Sequence, residues 1–336
     1  MKTAIYIGRF QPFHNGHLAA TQAILKQVDR VIFIVGSADS AISTKNPFDA
    51  ETREFMIEDA MFDANIPEGR YFIERVNDHP YNETEWITEV QRIASQWQAT
   101  HIGGFKKDDS SYYLDLFPNL QFIDTGVTNI KLSATDIRNA VFEGKFELIK
   151  GAVSSLVYGT IRNTFEEQKE TYDRLVGDYQ MLKKYKESWA AAPYPPTFVT
   201  ADAVVIAAGH VLLVERGAAP GKGLFALPGG FVNPNETVFE ASVRELREET
   251  DIAITDFALR RTVTARAVYD HPLRSERGRT ITHAFGWRLE DSRGLPAVNG
   301  GDDAAKAFWL PLSRLKPQRM FEDHYAIIQD MIGKMG

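Results

Sequence analysis

The sequence contains no cysteine in its 336 residues. Disulfide bridges, thiolate metal sites and cysteine nucleophiles are therefore excluded. The fold has to be held together by buried apolar cores, which a chain of this length can supply. The absence of cysteine is also compatible with a reducing compartment, although it does not assign a compartment by itself.

An excess of positive charge is also missing. The chain has 38 Lys and Arg against 45 Asp and Glu, which gives a formal net charge of −7. General nucleic-acid binding depends on a basic surface, so we expect no nucleic-acid partner. Any phosphate site must then be local and built from a few cations and backbone amides.

Long apolar runs are absent as well. No stretch approaches the roughly 18 apolar residues that a membrane span requires. The N-terminus passes directly into a strand pattern, without the basic and apolar regions of a signal peptide. We therefore expect a cytoplasmic protein with no membrane partner. The sequence leaves the oligomeric state open, and a homo-oligomer is one option.

The chain length predicts two domains. Strand and helix patterns alternate over about the first 150 residues, beginning with a strand at Ala4–Gly8, a helix at 18–28 and a strand at 30–36. This alternation predicts a doubly wound α/β domain with a parallel sheet, whose ligand lies at the carboxyl ends of the strands. A charged helical segment, 165–189, completes the predicted first domain, 1–189.

Three prolines between Pro193 and Pro196 predict a stiff linker at 190–197. The second domain, 198–336, reads as mostly strands, with one helix at 238–249 and a closing helix at 322–331. This pattern predicts an α+β sandwich.

The first informative motif follows the first strand: Gly8-Arg9-Phe10-Gln11-Pro12-Phe13-His14-Asn15-Gly16-His17. The loop feeds a helix, and the free amides of a helix N-terminus favour an anion. His14 and His17 can both reach one phosphate chain, Gly16 lets the backbone come close, and Arg9 adds a positive charge. An isolated pair of histidines would be ordinary loop residues, but this position favours a phosphate site.

A second element lies far downstream, at Ser133-Ala134-Thr135-Asp136-Ile137-Arg138. Ser133 or Thr135 can cap a new helix whose amides face a phosphate, and Arg138 lies on its first turn. Taken alone, the segment is an ordinary helix start with a surface arginine.

Together the two elements resemble the HxGH nucleotidyltransferase superfamily, and the wording from Gly8 to His17 resembles archaeal-type nicotinamide mononucleotide adenylyltransferases. Asn46–Arg53 is similar to a further arginine-bearing segment of that family, although Glu51 and Thr52 depart from its usual wording. Trp86 matches the aromatic position that the family places against the nicotinamide ring, and a core tryptophan is the competing interpretation. The resemblance covers about 150 residues.

The resemblance implies transfer of AMP from ATP to nicotinamide mononucleotide, which gives NAD and pyrophosphate. It assigns His14, His17 and Arg138 to the triphosphate, with Mg²⁺ bridging phosphate oxygens. Further implied substrate contacts are Gly8, Arg9, Phe10, Gly16, Arg53, Trp86, Ser133 and Thr135. Lys106 and Lys107 could also contact phosphate, but a solvated turn is the plainer interpretation. Nicotinate mononucleotide or another acceptor remains an alternative substrate.

The second informative motif has the spacing G-x5-E-x7-R-E-U-x-E-E, where U is apolar. Its members are Gly230, Glu236, Arg244, Glu245, Leu246, Glu248 and Glu249. Three of the glutamates fall at i, i+3 and i+4 and therefore share one helix face. Crowded carboxylates repel one another unless a cation lies among them, and hard oxygen ligands suit Mg²⁺ or Mn²⁺. Glu245, Glu248 and Glu249 are the predicted metal ligands, and Arg244 is expected to orient a glutamate.

This spacing is that of the Nudix box, with one departure, since Asp251 stands where the pattern has glycine. Aspartate tolerates the left-handed backbone that such a helix end requires. The box implies metal-dependent hydrolysis of a nucleoside diphosphate derivative, with Glu249 among the catalytic residues. The base remains open between one of these glutamates and an acid from another loop, such as Asp302 or Asp303.

The remainder of the C-terminal half resembles bacterial proteins that fuse this adenylyltransferase to a Nudix domain. That resemblance points to ADP-ribose, split into AMP and ribose 5-phosphate. Arg274, Arg277 and Arg279 could bind its phosphates, although a basic surface turn is equally compatible with the sequence. The alternatives are cleavage of another nucleoside diphosphate derivative and a non-catalytic sensor of ADP-ribose.

Overall fold

The computed structural model describes residues 1–106, 109–126, 133–289, 294–300 and 304–336. The chain divides into two compact units, Met1–Val176 and Gly177–Gly336. This division lies within one helix, before the proline-rich segment at which the sequence predicts a linker. The linker at 190–197 stays a prediction.

The N-terminal unit alternates strands and helices as expected. Its elements are β1 (Thr3–Gly8), α1 (Asn15–Leu25), β2 (Arg30–Val35), α2 (Ala50–Asp63), β3 (Tyr71–Arg75), α3 (Glu83–Gln96), β4 (His101–Gly104), β5 (Gln121–Asp124), α4 (Ala134–Phe142), α5 (Ser155–Glu167) and the start of α6 (Lys169–Ser188). Short 3-10 helices cover Asp109–Asp115 and Phe146–Ile149.

The described strands of this unit form a parallel sheet in the order β3-β2-β1-β4-β5. The order reverses at β1, because β2 and β4 lie on its two sides. In such sheets, ligands bind outside the carboxyl ends of the strands at the point of reversal. This confirms the predicted doubly wound fold and brings the loop after β1 to that position.

Apolar burial explains why these segments pack. On one side of the sheet, Ile5, Ile32 and Ile102 pack with Val90 and Ile93 of α3, all at most 1% exposed. Burying each such side chain contributes about 1.5–3 kcal/mol. The core therefore fixes the strand ends that carry the predicted site.

The C-terminal unit is built around a mixed sheet. Its elements after α6 are β6 (Thr197–Ala207), β7 (His210–Arg216), β8 (Phe225–Ala226), β9 (Gly229–Phe231), α7 (Val238–Thr250), α8 (Asp256–Arg261), β10 (Val263–Tyr269), β11 (Arg279–Arg288), β12 (Ala304–Pro311) and α9 (His324–Met335). The described strands follow the order β10-β11-β6-β7-β12, with β8 paired to β7 and β9 to β6. Only β6 and β11 pair in parallel among these strands. The α+β prediction is confirmed.

Helix α7 packs its apolar side on this sheet. Val243 and Leu246 are 4% and 0% exposed, and they contact a core that includes Trp287. Their spacing leaves the acidic side of α7 facing away from that core. The packing therefore sets which side chains of the second motif are available for chemistry.

The segment 165–189, predicted as helical, is helical: it consists of the end of α5, which stops at Glu167, and of α6, which begins at Lys169. The short helix α8, directly before β10, has no counterpart among the elements predicted from the sequence. Lys107, Asp302 and Asp303 lie outside the described residues. No helix in the described part of the chain is long and apolar enough to cross a membrane.

Candidate active sites

The loop after β1 places two histidine rings face to face. His14 caps the N-terminus of α1, and its ring centroid lies 3.7 Å from that of His17. The Nδ1 atom of His14 accepts the Gly16 amide at 3.1 Å, and the Nδ1 atom of His17 accepts the His14 amide at 3.2 Å. Both rings are thereby fixed in orientation at the start of the helix.

These contacts also settle where each ring carries its proton. Burial lowers the pKa of His14 to about 4 and that of His17 well below its usual range. Both rings are therefore neutral near pH 7. Since each Nδ1 accepts a hydrogen bond, the proton of each neutral ring is on Nε2, which can donate to an anionic ligand.

An aromatic cluster encloses His17. The rings of Phe10 and Phe13 lie 5.0 and 5.3 Å from it, and Tyr6 lies at 6.5 Å. Phe10 has a left-handed backbone with φ 51°, and its ring folds over Gly8, where an added Cβ would lie 2.9 Å from ring carbons. Glycine at position 8 therefore permits the turn that builds the loop.

Arginines approach this loop from three elements. Arg9 is exposed, and its side chain passes beside Gly36, at the end of β2. Arg138, on α4, donates to the Gln11 carbonyl at 2.8 Å and to the Thr135 hydroxyl at 3.1 Å. The structure thus brings the late motif to the first one across the fold.

Arg53 is buried, with 1% of its surface exposed. Its guanidinium donates to the carbonyls of Arg9 and Gly36 at 2.7 Å, and to those of Ser37 and Asp49 at 3.1 Å. These bonds use four of its five N–H groups. Arg53 therefore ties together the carboxyl ends of β1 and β2, and its contact with a substrate phosphate stays a prediction.

The start of α4 is a capping box. The Ser133 hydroxyl accepts the Asp136 amide at 3.3 Å, and the Asp136 carboxylate accepts the Ser133 amide at 2.9 Å. The capping box therefore fixes the N-terminus of α4, and Arg138 of this helix contacts the loop that contains His14. The predicted ligand contacts of Ser133 and Thr135 stay predictions.

Trp86 lies on α3 and is half-buried. It packs against the core of the N-terminal unit, and the rings of Phe117 and Tyr113 lie 6.0 and 6.3 Å away. A half-buried ring can both contribute to a core and offer an edge or face to a ligand. The predicted stacking with nicotinamide stays a prediction.

Gln11 is a member of the site that the sequence interpretation missed. Its side chain exchanges two hydrogen bonds with the backbone of Phe48, at 2.7 and 3.1 Å, while its carbonyl receives Arg138. No local pattern marks this role, because its partners are 37 and 127 residues away.

In the C-terminal unit, Arg244 is hydrogen-bonded to three glutamates of the second motif. It binds Glu236 through two hydrogen bonds, at 2.7 and 2.9 Å, and it donates to Glu245 and Glu248 at 2.8 Å each. These bonds lower the pKa of Glu236 and raise that of Arg244. The expectation that Arg244 orients a glutamate is thus matched by three contacts.

Glu249 lies apart from this arginine. One of its carboxylate oxygens accepts the Gly229 amide at 3.0 Å. Burial raises the pKa of Glu249 to about 8, against the opposing effect of that hydrogen bond. Burial also raises the pKa of Glu245. A nearby cation would therefore stabilise the charged form of both carboxylates.

The glycine-rich loop lets the Glu245 carboxylate lie close to the backbone of Gly230. An added Cβ on Gly230 would lie 2.5 Å from the Glu245 carboxylate, so glycine leaves room for that side chain. Among the described residues, no three acidic or histidine side chains are gathered closely enough to hold a metal as they stand. Glu245 and Glu248 are turned to Arg244 instead. Their oxygen chemistry and their position beside Glu249 nevertheless fit a divalent cation.

The end of α7 shows how the departure from the Nudix pattern is accommodated. Asp251 adopts a left-handed backbone with φ 43°, and its amide donates to the Arg247 carbonyl at 2.8 Å. Arg247 donates to the carbonyl of Ile254. Asp251 therefore ends the helix in the conformation that a glycine would take.

The three arginines of the 270–279 segment have different environments. Arg274 is buried and forms two bonds of 2.9 Å with Asp323, so it does not lie on a surface turn. Arg279 contacts Asp270. Arg277 lies over the ring of Phe231 at 5.0 Å.

Lys106, in the N-terminal unit, pairs with Asp115 at 2.5 Å.

Two family models match the chain. A cytidylyltransferase-like model matches residues 5–140, and the NUDIX domain model matches residues 196–331.

Relatives of each half are also found. The chain is 37% identical over 182 residues to the nicotinamide/nicotinic acid mononucleotide adenylyltransferase of Acinetobacter baylyi, which covers 52% of this chain and 92% of that protein. It is 36% identical over 159 residues to the ADP-ribose pyrophosphatase of Methanocaldococcus jannaschii, which covers 47% of this chain and 83% of that protein.

A solved bifunctional protein matches the whole chain. The crystal structure of a bifunctional NMN adenylyltransferase/ADP ribose pyrophosphatase from Francisella tularensis superimposes with a TM-score of 0.92 at 36% identity, covering 100% of this chain and 99% of that one. A second structure of that protein is complexed with AMP and Mn ion. With both halves matched by one protein over its length, the chain belongs to the family of bifunctional proteins that join a nicotinamide mononucleotide adenylyltransferase to a Nudix domain.

Proposed function

We propose that the N-terminal half forms NAD and pyrophosphate from ATP and nicotinamide mononucleotide, and that the C-terminal half hydrolyses ADP-ribose to AMP and ribose 5-phosphate. One observation carries this proposal: the predicted histidines, arginines and glutamates of both motifs are all present in a chain that matches a bifunctional protein over its whole length. We also propose the domain limits 1–189 and 198–336, with a linker at 190–197.

In the N-terminal half, a phosphate oxygen of nicotinamide mononucleotide attacks the α-phosphorus of ATP, and the bond to the β-phosphate breaks as pyrophosphate leaves. The reaction needs no protein nucleophile, so catalysis rests on alignment and on stabilising negative charge. The Nε2–H groups of His14 and His17 can donate to phosphate oxygens without adding charge. Arg9 and Arg138 supply the positive charge, and Trp86 orients the nicotinamide.

In the C-terminal half, water attacks a phosphorus of the diphosphate, and the bond to the bridging oxygen breaks. Glu245, Glu248 and Glu249 would hold a divalent cation, Mg²⁺ in the first place with Mn²⁺ as an alternative. When bound, such a cation supplies a Lewis acid beside the diphosphate. Arg244 fixes two of these carboxylates, and the Gly229 amide fixes the third. The base is one of these glutamates or Asp302 or Asp303.

Chromatographic analysis of the products tests both halves. Purified full-length protein with Mg²⁺ receives ATP and nicotinamide mononucleotide in one reaction and ADP-ribose in another. We expect NAD in the first reaction and AMP in the second. A protein that forms NAD but leaves ADP-ribose intact would point to another Nudix substrate or to a sensor. AMP without NAD would contradict the assignment of the acceptor.

A further inference from the structure

Two arginines other than Arg244 lie on segments that border the predicted metal-binding carboxylates. Arg216 is the last residue of β7, and Arg277 lies in the turn between β10 and β11. Both are half-buried, and the side chain of Arg277 is 19% exposed. Arg216 belongs to neither of the two sequence motifs, so only the fold brings it to this place.

Each of these guanidinium groups is held against an aromatic ring. The Arg216 Cζ atom lies 4.0 Å from the centroid of Phe321, and that of Arg277 lies 5.0 Å from the centroid of Phe231. The Nε atom of Arg216 donates to the Pro220 carbonyl at 2.8 Å. Stacking and the Nε bond fix the plane of such a group and direct its terminal N–H groups.

Phe231, whose ring lies under the Arg277 guanidinium, connects this arginine to the glutamate cluster. The Phe231 carbonyl accepts a bond from Arg244 at 3.2 Å, and Gly230, directly before it, borders Glu245. The Nε atom of Arg277 donates to the Ser275 hydroxyl at 3.4 Å, and the nearest Glu322 oxygen lies 3.9 Å from its Nη2 atom. These long contacts leave the group available for a stronger acceptor.

Backbone contacts connect Arg216 to the segment whose amide holds Glu249. The Arg216 amide donates to the Leu224 carbonyl, and β8 then runs toward Gly229, whose amide holds Glu249. Burial, followed by the charge of Arg277, lowers the pKa of Arg216, while the charge of Glu249 opposes this shift. Phe321, whose ring lies under the Arg216 guanidinium, directly precedes Glu322, whose carboxylate lies 3.9 Å from Arg277, so the two arginines border the same segment.

Two other arginines of this region are bonded closely to carboxylates. Arg274 forms its two 2.9 Å bonds with Asp323, and Arg244 is bound by three glutamates. Arg279 donates to the backbone carbonyl of Asp270. Two like charges that are held together and partly buried cost free energy, and an anion between them offsets this cost.

We propose that Arg216 and Arg277 form a clamp that binds the diphosphate of the Nudix substrate. Planar guanidinium groups bind phosphate oxygens through paired N–H bonds, and two of them match the two phosphates of one diphosphate. This inference rests on the proposed hydrolase function. The clamp makes the site selective for diphosphate-linked ligands over monophosphates, whereas the glutamates hold the cation.

Calorimetric titration of ADP-ribose into full-length protein tests the clamp. EDTA in the buffer prevents hydrolysis, so the titration measures binding alone. We compare wild type with Arg216→Gln and Arg277→Gln, and with Arg279→Gln as a matched control at the end of the same turn. All four proteins have the same N-terminal half, so differences between them report binding in the Nudix half.

We expect Arg216→Gln and Arg277→Gln each to raise the Kd for ADP-ribose about tenfold or more, and Arg279→Gln to change it less than about twofold. The loss should be smaller for AMP, which has one phosphate. NAD formation and the thermal unfolding profile confirm that each variant is folded. If Arg216→Gln does not fold, Arg277→Gln and Arg216→Lys carry the comparison.

Unchanged binding of ADP-ribose by the folded variants would overturn the clamp, as would a wild-type protein that does not bind ADP-ribose. A wild type that binds ADP-ribose but does not hydrolyse it with Mg²⁺ would contradict the proposed hydrolase. In that case, weakened binding by the two variants would still support the clamp.

Discussion

The rings of His14 and His17 stack at a centroid distance of 3.7 Å, and each is held through Nδ1 by a backbone amide of the same helix start. Two stacked histidines cannot both be charged without repulsion, and burial already disfavours the charged form of each. The pair is thus a source of neutral hydrogen-bond donors, and the positive charge of the site comes from its arginines.

The buried His14 should make the N-terminal half sensitive to acid. Its pKa is about 4 in the folded protein, whereas the ordinary value of 6.5 applies to the unfolded chain. Between these values the unfolded chain binds a proton that the folded protein does not, so stability falls as the pH falls. The loss amounts to about 3 kcal/mol for the full shift.

Thermal unfolding of wild type and His14→Asn between about pH 5 and about pH 7 measures this effect. Asparagine retains the capacity to cap the helix. We expect the unfolding midpoint of the variant to decrease less on acidification than that of wild type. Parallel curves for the two proteins would contradict a buried neutral His14.

Gly230→Ala should impair hydrolysis more than stability. The added Cβ would lie 2.5 Å from the Glu245 carboxylate, which is the movable end of a side chain. We expect kcat/KM for ADP-ribose to fall about tenfold or more, because a predicted metal ligand is displaced. The thermal midpoint should change little.

Gly229→Ala is the matched comparison for this variant. Its Cβ would meet the Ala201 carbonyl at 2.6 Å and the Asp202 Cα atom at 2.9 Å, which are backbone atoms that cannot turn away. This change should lower the thermal midpoint as well as activity. If Gly230→Ala destabilised the protein as much as Gly229→Ala, a purely structural role for Gly230 would be indicated.

Asp251→Gly should stabilise the C-terminal half. Asp251 has φ 43°, a left-handed conformation that costs a residue with a side chain up to about 1 kcal/mol and that glycine adopts readily. We expect a higher unfolding midpoint with unchanged hydrolysis, and a lower midpoint for Asp251→Ala. A drop in hydrolysis by Asp251→Gly would mean that this side chain contributes to the site.

Much of the fold can be predicted from local patterns. The strand at Thr3–Gly8 is a continuously buried apolar run, and the helix at Val238–Thr250 has one buried face and clear end signals, so their predicted bounds lie within a few residues of the observed ones. Helix α5 escapes such a prediction, because its buried residues are only Val157 and Ile161. Helix α8 has six residues, too few for a periodic pattern to develop.

The candidate sites divide in the same way. His14 and His17, or Glu245 and Glu249, lie within one turn or loop, so their proximity follows from spacing. Contacts between distant segments carry no such signal. The pairing of Arg274 with Asp323 spans 49 residues, and it buries an arginine for which the sequence left a phosphate contact and a surface turn open.

The central claim is that one chain carries two active sites that work separately. Both activities should be measured in the same preparations of wild type, His17→Ala and Glu249→Gln. We expect His17→Ala to lose NAD formation and to retain ADP-ribose hydrolysis, and Glu249→Gln to do the reverse. Loss of both activities in either folded variant, or NAD formation retained by His17→Ala, would contradict the account.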